Sequence, residues 1–212
     1  MNKNLLSLLI CLSFIGAANA QFSKGNYILA GTLSYNSSSS TSSGNEQTTH
    51  GGNFNLFPGK AISESSIIGL NLGYGFNNSS NSTGSGGSKY NQYTFGVYYR
   101  KYKSLGKDFY LFGAASAGYI GSTSSSTDIS GNPYSTGNLN GGFIAFYPGI
   151  DYKISNKFLL ELSIPSLFYA SYSSSKSTNV NYQDTKSTSF GISTSLTSNP
   201  LNALGVGFVL VL

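Results

Sequence analysis

Few side chains in this sequence could perform acid–base or nucleophilic chemistry. The single histidine is His50, which lies four positions after Glu46 in a stretch rich in hydroxyl residues. A serine, a histidine and an orienting acid are the parts that activate a hydroxyl nucleophile in hydrolases. Serine is so frequent in this chain that its presence near a histidine carries little information, and we expect that the protein is not an enzyme.

Signatures of metal and cofactor binding are also missing. A lone histidine and scattered acids make no ligand cluster. The glycine-rich GSGG that starts at Gly84 precedes no helical pattern, so it is interpreted as a loop and not as a phosphate cradle. We therefore assign no catalytic, metal-binding or cofactor-binding residues.

The charge content is unusually low and excludes one class of partner. Charged residues make up 9% of the chain, against about 25% in ordinary soluble domains. Lys and Arg exceed Asp and Glu by five, but they are dispersed among short connections such as those at Lys60, Lys101 and Lys153. A nucleic-acid binder would concentrate its cations in a stripe, so no nucleic-acid partner is expected.

The first twenty residues have the layout of a cleaved signal peptide. Lys3 precedes an apolar run from Leu5 to Ile15, and the small residues Ala18-Asn19-Ala20 follow. We expect cleavage after Ala20, so that residues 21–212 form one mature domain; a retained anchor is the alternative. The only cysteine, Cys11, lies inside this segment and away from the cleavage point. The mature chain therefore has no disulfide, and a lipoprotein is not favoured.

The rest of the chain alternates in the way that β-strands do. In IIGLNLGYGF, which starts at Ile67, large apolar residues occupy every second position and mostly Gly and Asn lie between them. The stretch from Tyr182 to the end is too long for one strand and must bulge, kink or break near Asn199-Pro200, since proline cannot donate to a ladder. We predict eight strands, with ten as the alternative, near 26–35, 49–57, 67–76, 91–102, 109–121, 138–152, 158–169 and 204–212.

Long and short connections alternate along the chain. The long ones are rich in Ser, Thr, Asn and Gly and begin at Asn36, Asn77, Ser122 and Ser171. The short ones include KYKSLGKD and DYKISNK. This order predicts hairpins with flexible hydrophilic loops at one end of the sheet and tight turns at the other.

The residue types on the two faces indicate which solvent each face meets. A soluble sheet carries Lys and Glu on its exposed face, whereas the second face here carries Gly, Asn, Ser and Thr. Lipid accepts the large apolar face, and a closed barrel satisfies every backbone amide in hydrocarbon. We therefore predict an all-β transmembrane antiparallel barrel with its bulky residues outward. The outward set includes the interfacial tyrosines and the apolar face assigned in 138–152: Tyr27, Tyr35, Tyr74, Tyr93, Tyr99, Tyr147, Leu139, Phe143 and Ala145.

Two charged residues fall on inward positions of the predicted barrel. By alternation Arg100 and Glu161 both face the lumen. One hypothesis is a buried ion pair that plugs the channel; the other is that Arg100 only reaches the rim. The two faces of 109–121 cannot be told apart from the sequence.

This pattern resembles the small outer-membrane β-barrel proteins of Gram-negative bacteria, the OmpA/OmpX-like class, over nearly the whole mature chain. The C-terminal GFVLVL, with Gly207, Leu210 and Leu212, matches the final strand of that class except that Leu212 replaces an aromatic residue. The resemblance implies an outer-membrane location, contact with membrane lipid and lipopolysaccharide, recognition of the last strand by the barrel insertion machinery, and a monomer. It implies a structural or surface-interaction role; the alternatives are a narrow pore for small solutes and a lipid-modifying enzyme.

Overall fold

The structure, a computed structural model, describes residues 22–42, 45–81, 86–127, 132–164, 167–179, 182–194 and 205–212. The predicted signal peptide, residues 1–20, and the predicted break at Asn199-Pro200 lie outside these ranges. The described residues form ten strand segments: β1 Tyr27–Ser42, β2 Asn45–Ser63, β3 Ser66–Asn81, β4 Gly87–Gly106, β5 Phe109–Thr127, β6 Pro133–Ser155, β7 Phe158–Ser163, β8 Phe168–Asn179, β9 Tyr182–Ser193 and β10 Gly205–Val211. Within them, no helix is long and apolar enough to span a membrane.

These segments build an eight-stranded antiparallel barrel. Strands β1 to β6 each pair with the next one along the chain. Strand β6 pairs with β7 near one end and with β8 near the other, so β7 and β8 share one position in the wall. Strand β10 pairs with both β7 and β1 and closes the ring. The prediction of an eight-stranded barrel is confirmed. Ten segments arise because β7 and β8 divide one wall position, and β9, which pairs with β8, divides the next one with β10.

One end of the barrel has tight turns and the other has long hairpins. At the turn end, Lys107 and Asp108 join β4 to β5 with φ angles of 48° and 67°, the left-handed conformation that tight two-residue hairpins need. We call the opposite end the hairpin end. Its ladders continue well past the length that crosses a membrane, since β4 has 20 residues and β6 has 23, against about ten for a tilted spanning strand.

Much of the sequence that was expected to form flexible loops belongs to these extended ladders. The segment that starts at Asn36 pairs in register with β2 up to the Ser42–Asn45 pair. Side-chain hydroxyls bridge the hairpins, as between Ser173 and Ser189, whose oxygens are 3.0 Å apart. Ser and Thr pairs of this kind stabilise a sheet, but they leave no apolar alternation for a sequence pattern to detect.

The large apolar residues of most strands point outward, as predicted. The exposed fraction is 74% for Leu33, 56% for Val97 and 60% for Val206, which are values typical of residues outside a core. The intervening positions face the lumen: Ile28, Ala30, Phe57, Arg100 and Val209 are buried. Strand β5, whose faces the sequence left open, turns Phe112, Ala114 and Ser116 inward.

The face assignment of 138–152 was wrong. Phe143 and Ala145 are buried, Tyr147 packs against the core, and Ile144, which was not chosen, is 59% exposed. Both faces of β6 carry apolar residues, so alternation alone could not tell them apart. Tyr147 is therefore not one of the interfacial tyrosines. The inward rings of this strand instead fill part of the lumen.

The outward assignment of Val97 gives a direct test. Val97 lies between Tyr93 and Lys101 on the outward face of β4, near the middle of the apolar band. We predict that Val97→Arg lowers the free energy of unfolding in lipid vesicles by about 2–4 kcal/mol, because lipid penalises a cation at mid-depth. Denaturant titration followed by tyrosine fluorescence measures this loss.

The matched control is Ser80→Arg, on the outward face of β3 close to the hairpin end. Its predicted effect is small, because the ladder there lies above the apolar band. Equal destabilisation by both substitutions would show that depth in the membrane does not decide the effect.

Candidate functional site: the barrel lumen

An ion pair crosses the lumen in its half nearer the turn end. Arg100 extends from β4 and Glu161 from β7, with two strands of the ring between them on the shorter side. The Nη1 atom of Arg100 lies 2.6 Å from Oε2 of Glu161, and the two side chains are only 1% and 3% exposed. Of the two sequence hypotheses for Arg100, the structure supports the buried pair and not a position at the rim.

Aromatic rings surround the guanidinium of Arg100. Its Cζ lies 4.2 Å from the ring centre of Phe112 and 5.8 Å from that of Tyr147. Tyr98 and Tyr102 stand at 6.0 Å each, and Nη1 also donates to the Tyr102 hydroxyl at 3.2 Å. A cation enclosed by ring faces gains electrostatic attraction from them, and the same rings occupy the cross-section of this narrow barrel.

The segment before β1 also blocks the lumen at the turn end. Phe22 is 3% exposed and packs edge-on against Tyr102, with ring centres 5.1 Å apart and planes at 70°. Backbone hydrogen bonds tie the segment to β2, from Gly25 N to Ala61 O at 2.9 Å and from Ala61 N to Asn26 O at 2.9 Å. The turn end of the lumen is therefore covered by the chain that leads into the first strand.

A second acid lies beside the ion pair. Asp151 is fully buried and stands directly opposite Glu161 in the β6–β7 ladder. Neither of its carboxylate oxygens has a hydrogen-bond partner of acceptable geometry among the described residues, and the same holds for Nε and Nη2 of Arg100. Like charges directly opposite each other destabilise a sheet, and the positive charge of Arg100 lies near both acids. We call Arg100, Glu161, Asp151 and the surrounding rings the lumenal plug.

A cavity of about 220 Å³ lies on the hairpin side of the plug. Its polar lining includes Asn71, Thr94, Ser116 and Ser163, and Glu161 contributes to its floor. Small polar side chains of this kind hold water in a closed barrel. The lumen thus contains a polar cavity above the plug and is packed with rings and an ion pair at the plug itself.

The structure places His50 away from the lumen, on the outward face of β2 near the hairpin end. Its Nδ1 lies 3.0 Å from Oγ of Ser37 and 3.3 Å from the hydroxyl of Tyr35. A serine is therefore close, but neither of these partners is the carboxylate or amide that would orient the ring for catalysis. Among the described residues, no group of three or more His, Cys, Asp or Glu side chains could hold a metal ion.

Sequence reasoning found Arg100 and Glu161 and missed the rest of the plug. Asp151 escaped notice because the faces of 138–152 were assigned in reverse, and it shares its face with Tyr147. Phe22 precedes the first strand, where alternation carries no signal. Tyr98 and Tyr102 could have been found, since both share the inward face of β4 with Arg100.

The plug leads to a prediction on stability. Removing one partner of a buried ion pair costs about 3–5 kcal/mol because an uncompensated charge remains. We predict that Arg100→Met has this effect, since it leaves two buried carboxylates. Glu161→Gln should cost less, because Asp151 remains to balance the guanidinium.

Denaturant unfolding in detergent micelles measures both variants. Asp184→Asn, which removes an exposed partner of Lys176, is the control and should change stability little. A Glu161→Gln variant that is as unstable as Arg100→Met would contradict the sharing of one cation by two acids.

The comparisons with known proteins agree with this architecture. In the search of solved structures, the outer membrane protein OprG from Pseudomonas aeruginosa is 12% identical, with a TM-score of 0.50 over 92% of this chain and 99% of that one. Neisserial surface protein A gives 12% identity and 0.47 over 89% and 98%, and a major outer membrane protein from Thermus thermophilus gives 12% and 0.46 over 88% and 98%. No curated protein matches the sequence.

At 12% identity, the similarity to OprG supports the fold alone. The family evidence comes from a model described as the outer membrane protein beta-barrel domain, which matches residues 5–197. That range takes in nearly all of the strands described above. The chain is therefore a member of the outer membrane protein beta-barrel domain family, located in the outer membrane.

Proposed function

We propose that this protein is a non-conducting, non-catalytic outer-membrane barrel with a structural or surface-interaction role. The lumenal plug is the observation that carries the proposal. An ion pair with side chains 1% and 3% exposed, enclosed by four rings, leaves no continuous water path through that half of the lumen. A barrel sealed in this way holds its shape in the membrane without dissipating solute gradients.

The extended hairpins support the surface-interaction part of the proposal. On the pattern of outer-membrane barrels, the hairpin end faces the outside and the turn end faces the periplasm. Asp184 makes contacts across the β8–β9 hairpin, where its oxygens lie 2.6 Å from Nζ of Lys176 and 2.8 Å from Oγ1 of Thr178. These hydrogen bonds hold the pKa of Asp184 below its usual range. Ordered, hydrated ladders of this kind present a defined surface to a partner.

Two further parts of the proposal concern assembly. We propose that residues 1–20 are removed on export, that the final strand is read by the barrel insertion machinery, and that the mature protein is a monomer. The intact mass of protein extracted from membranes tests the first part, and the expected mature chain begins at Gln21. A mass that retains Met1 to Ala20 would contradict it.

A narrow pore is the second candidate, and the cavity of about 220 Å³ above the plug favours it. If Arg100 and Glu161 separated and the segment that carries Phe22 moved aside, this cavity would open toward the periplasm. The pore and the sealed barrel differ in the conductance of the unmodified protein.

Single-channel recording in planar lipid bilayers distinguishes these functions. We predict no steps for the wild-type protein and frequent steps for Arg100→Ala, because truncation removes both the ion pair and the cation that the rings enclose. Lys101→Ala, one residue away on the outward face, is the matched control and should stay silent.

Heat-modifiable gel mobility shows whether each variant is folded. Steps from the wild-type protein would favour the pore, and a folded Arg100→Ala variant without steps would contradict the plug.

A further inference from the structure

A row of polar side chains crosses the outer wall toward the hairpin end. His50 of β2 pairs with Asn78 of β3, Asn78 pairs with Lys89 of β4, and Lys89 pairs with Ser125 of β5. We call these four residues the rim row. Because they are neighbours in one register, they form a continuous row across four adjacent strands, and this row is inclined to the membrane plane because the strands are tilted.

The height of the rim row follows from the aromatic row beneath it. Phe54, Tyr74 and Tyr93 are also consecutive cross-strand partners, and they are 44%, 50% and 44% exposed on the outward face. Each lies four residues from its rim-row neighbour on the same strand, about 13 Å along the strand and about 10 Å in height after tilt. Aromatic residues of this type lie at the edge of the hydrocarbon, so the rim row lies in the headgroup layer.

The rim row borders a groove of about 290 Å³ on the outer surface. Two cationic or protonatable groups, His50 and Lys89, line this groove together with hydroxyl and amide groups of Asn78, Ser80, Ser125 and Thr127. No carboxylate occurs among the described lining residues. Glu46 lies four residues from His50 on the same face of β2 and is not part of the lining.

The position of His50 is fixed by two hydroxyls below and beside it. Its Nδ1 is 3.3 Å from the hydroxyl of Tyr35, an outward residue of β1 that is 67% exposed, and 3.0 Å from Oγ of Ser37. The ring is therefore ordered beside the groove. Lys89 contributes a compact charge on a flexible stem, which suits an oxyanion that moves with the lipid.

From this arrangement we propose that the groove binds a phosphate of a phosphorylated glycolipid in the outer leaflet. The ammonium of Lys89 meets the phosphate oxygens, hydroxyl and amide donors of the rim row bind the remaining oxygens and the sugar, and the aromatic row lies against the acyl chains. The proposal rests on the outward orientation of the hairpin end and gives the surface-interaction role a specific ligand class. It does not depend on whether the lumen conducts.

Native mass spectrometry of the barrel in detergent tests the proposal, with bisphosphorylated lipid A as the probe. We expect a one-to-one complex with the wild-type protein and binding about tenfold weaker for the His50→Gln, Lys89→Gln double variant, as expected for loss of a charge-assisted contact. Dephosphorylated lipid A should bind about as weakly to wild type. Lys186→Gln, which removes an exposed lysine of β9 outside the groove, is the matched control and should bind like wild type.

Three results would overturn the proposal. They are equal binding of lipid A by the double variant and the wild type, equal binding of the two forms of lipid A, and displacement of lipid A by millimolar inorganic phosphate, which would make the groove a site for free anions. All substitutions lie on the exposed face, and heat-modifiable mobility verifies that each variant is folded. Failure here with a silent wild-type barrel in bilayers would leave the proposed function standing without this ligand.

Discussion

Satisfaction of backbone hydrogen bonds in a medium without water is the constraint on which this structure depends. An unpaired amide in hydrocarbon costs several kcal/mol, so the sheet cannot end in an open edge at that depth. The β1–β10 ladder removes the edge by pairing Ile28 with Val211 and Thr32 with Gly207. Closure at eight strands then fixes a narrow lumen, and the outward residues are selected by lipid and not by a protein core.

A narrow lumen explains why the charged residues of the plug are so closely packed. Arg100 and Glu161 extend into the lumen from strands that are three positions apart in the ring, and their side chains are almost fully buried. Their charges compensate each other, and ring faces surround the guanidinium. Asp151, opposite Glu161 in the ladder, places a second acid beside the pair. Such a cluster is costly to desolvate and costly to break. The cluster therefore adds little net stability when it forms, but the cost of breaking it keeps the lumen closed.

How far the sequence could predict the molecule depended on how different the two faces of a strand were. Strand β3, with bulky residues on one face and mostly Gly and Asn on the other, was assigned correctly, as was the apolar outward face of β4, and Arg100 and Glu161 were placed in the lumen. Strand β6 carries Ile144 outward and Phe143 inward, so alternation in hydropathy could not distinguish its two faces. Asp151 was therefore not recognised as an inward residue. The polar hairpins were taken for loops because Ser and Thr ladders are stabilised by hydroxyl pairs and backbone bonds, which leave no hydropathy signal. Phe22 could not be found by any periodic pattern.

The pairing of the first strand with the last has a consequence for the order of events in assembly. The hydrogen bond from Leu212 N to Tyr27 O, at 2.9 Å, joins segments from opposite ends of the described chain. Contacts so distant in sequence form slowly, and no partial product emerging during synthesis can mature into a sealed ring. Until the final segment pairs with the first, the sheet has two open edges that favour aggregation, so closure of the ring has to be the last step of assembly.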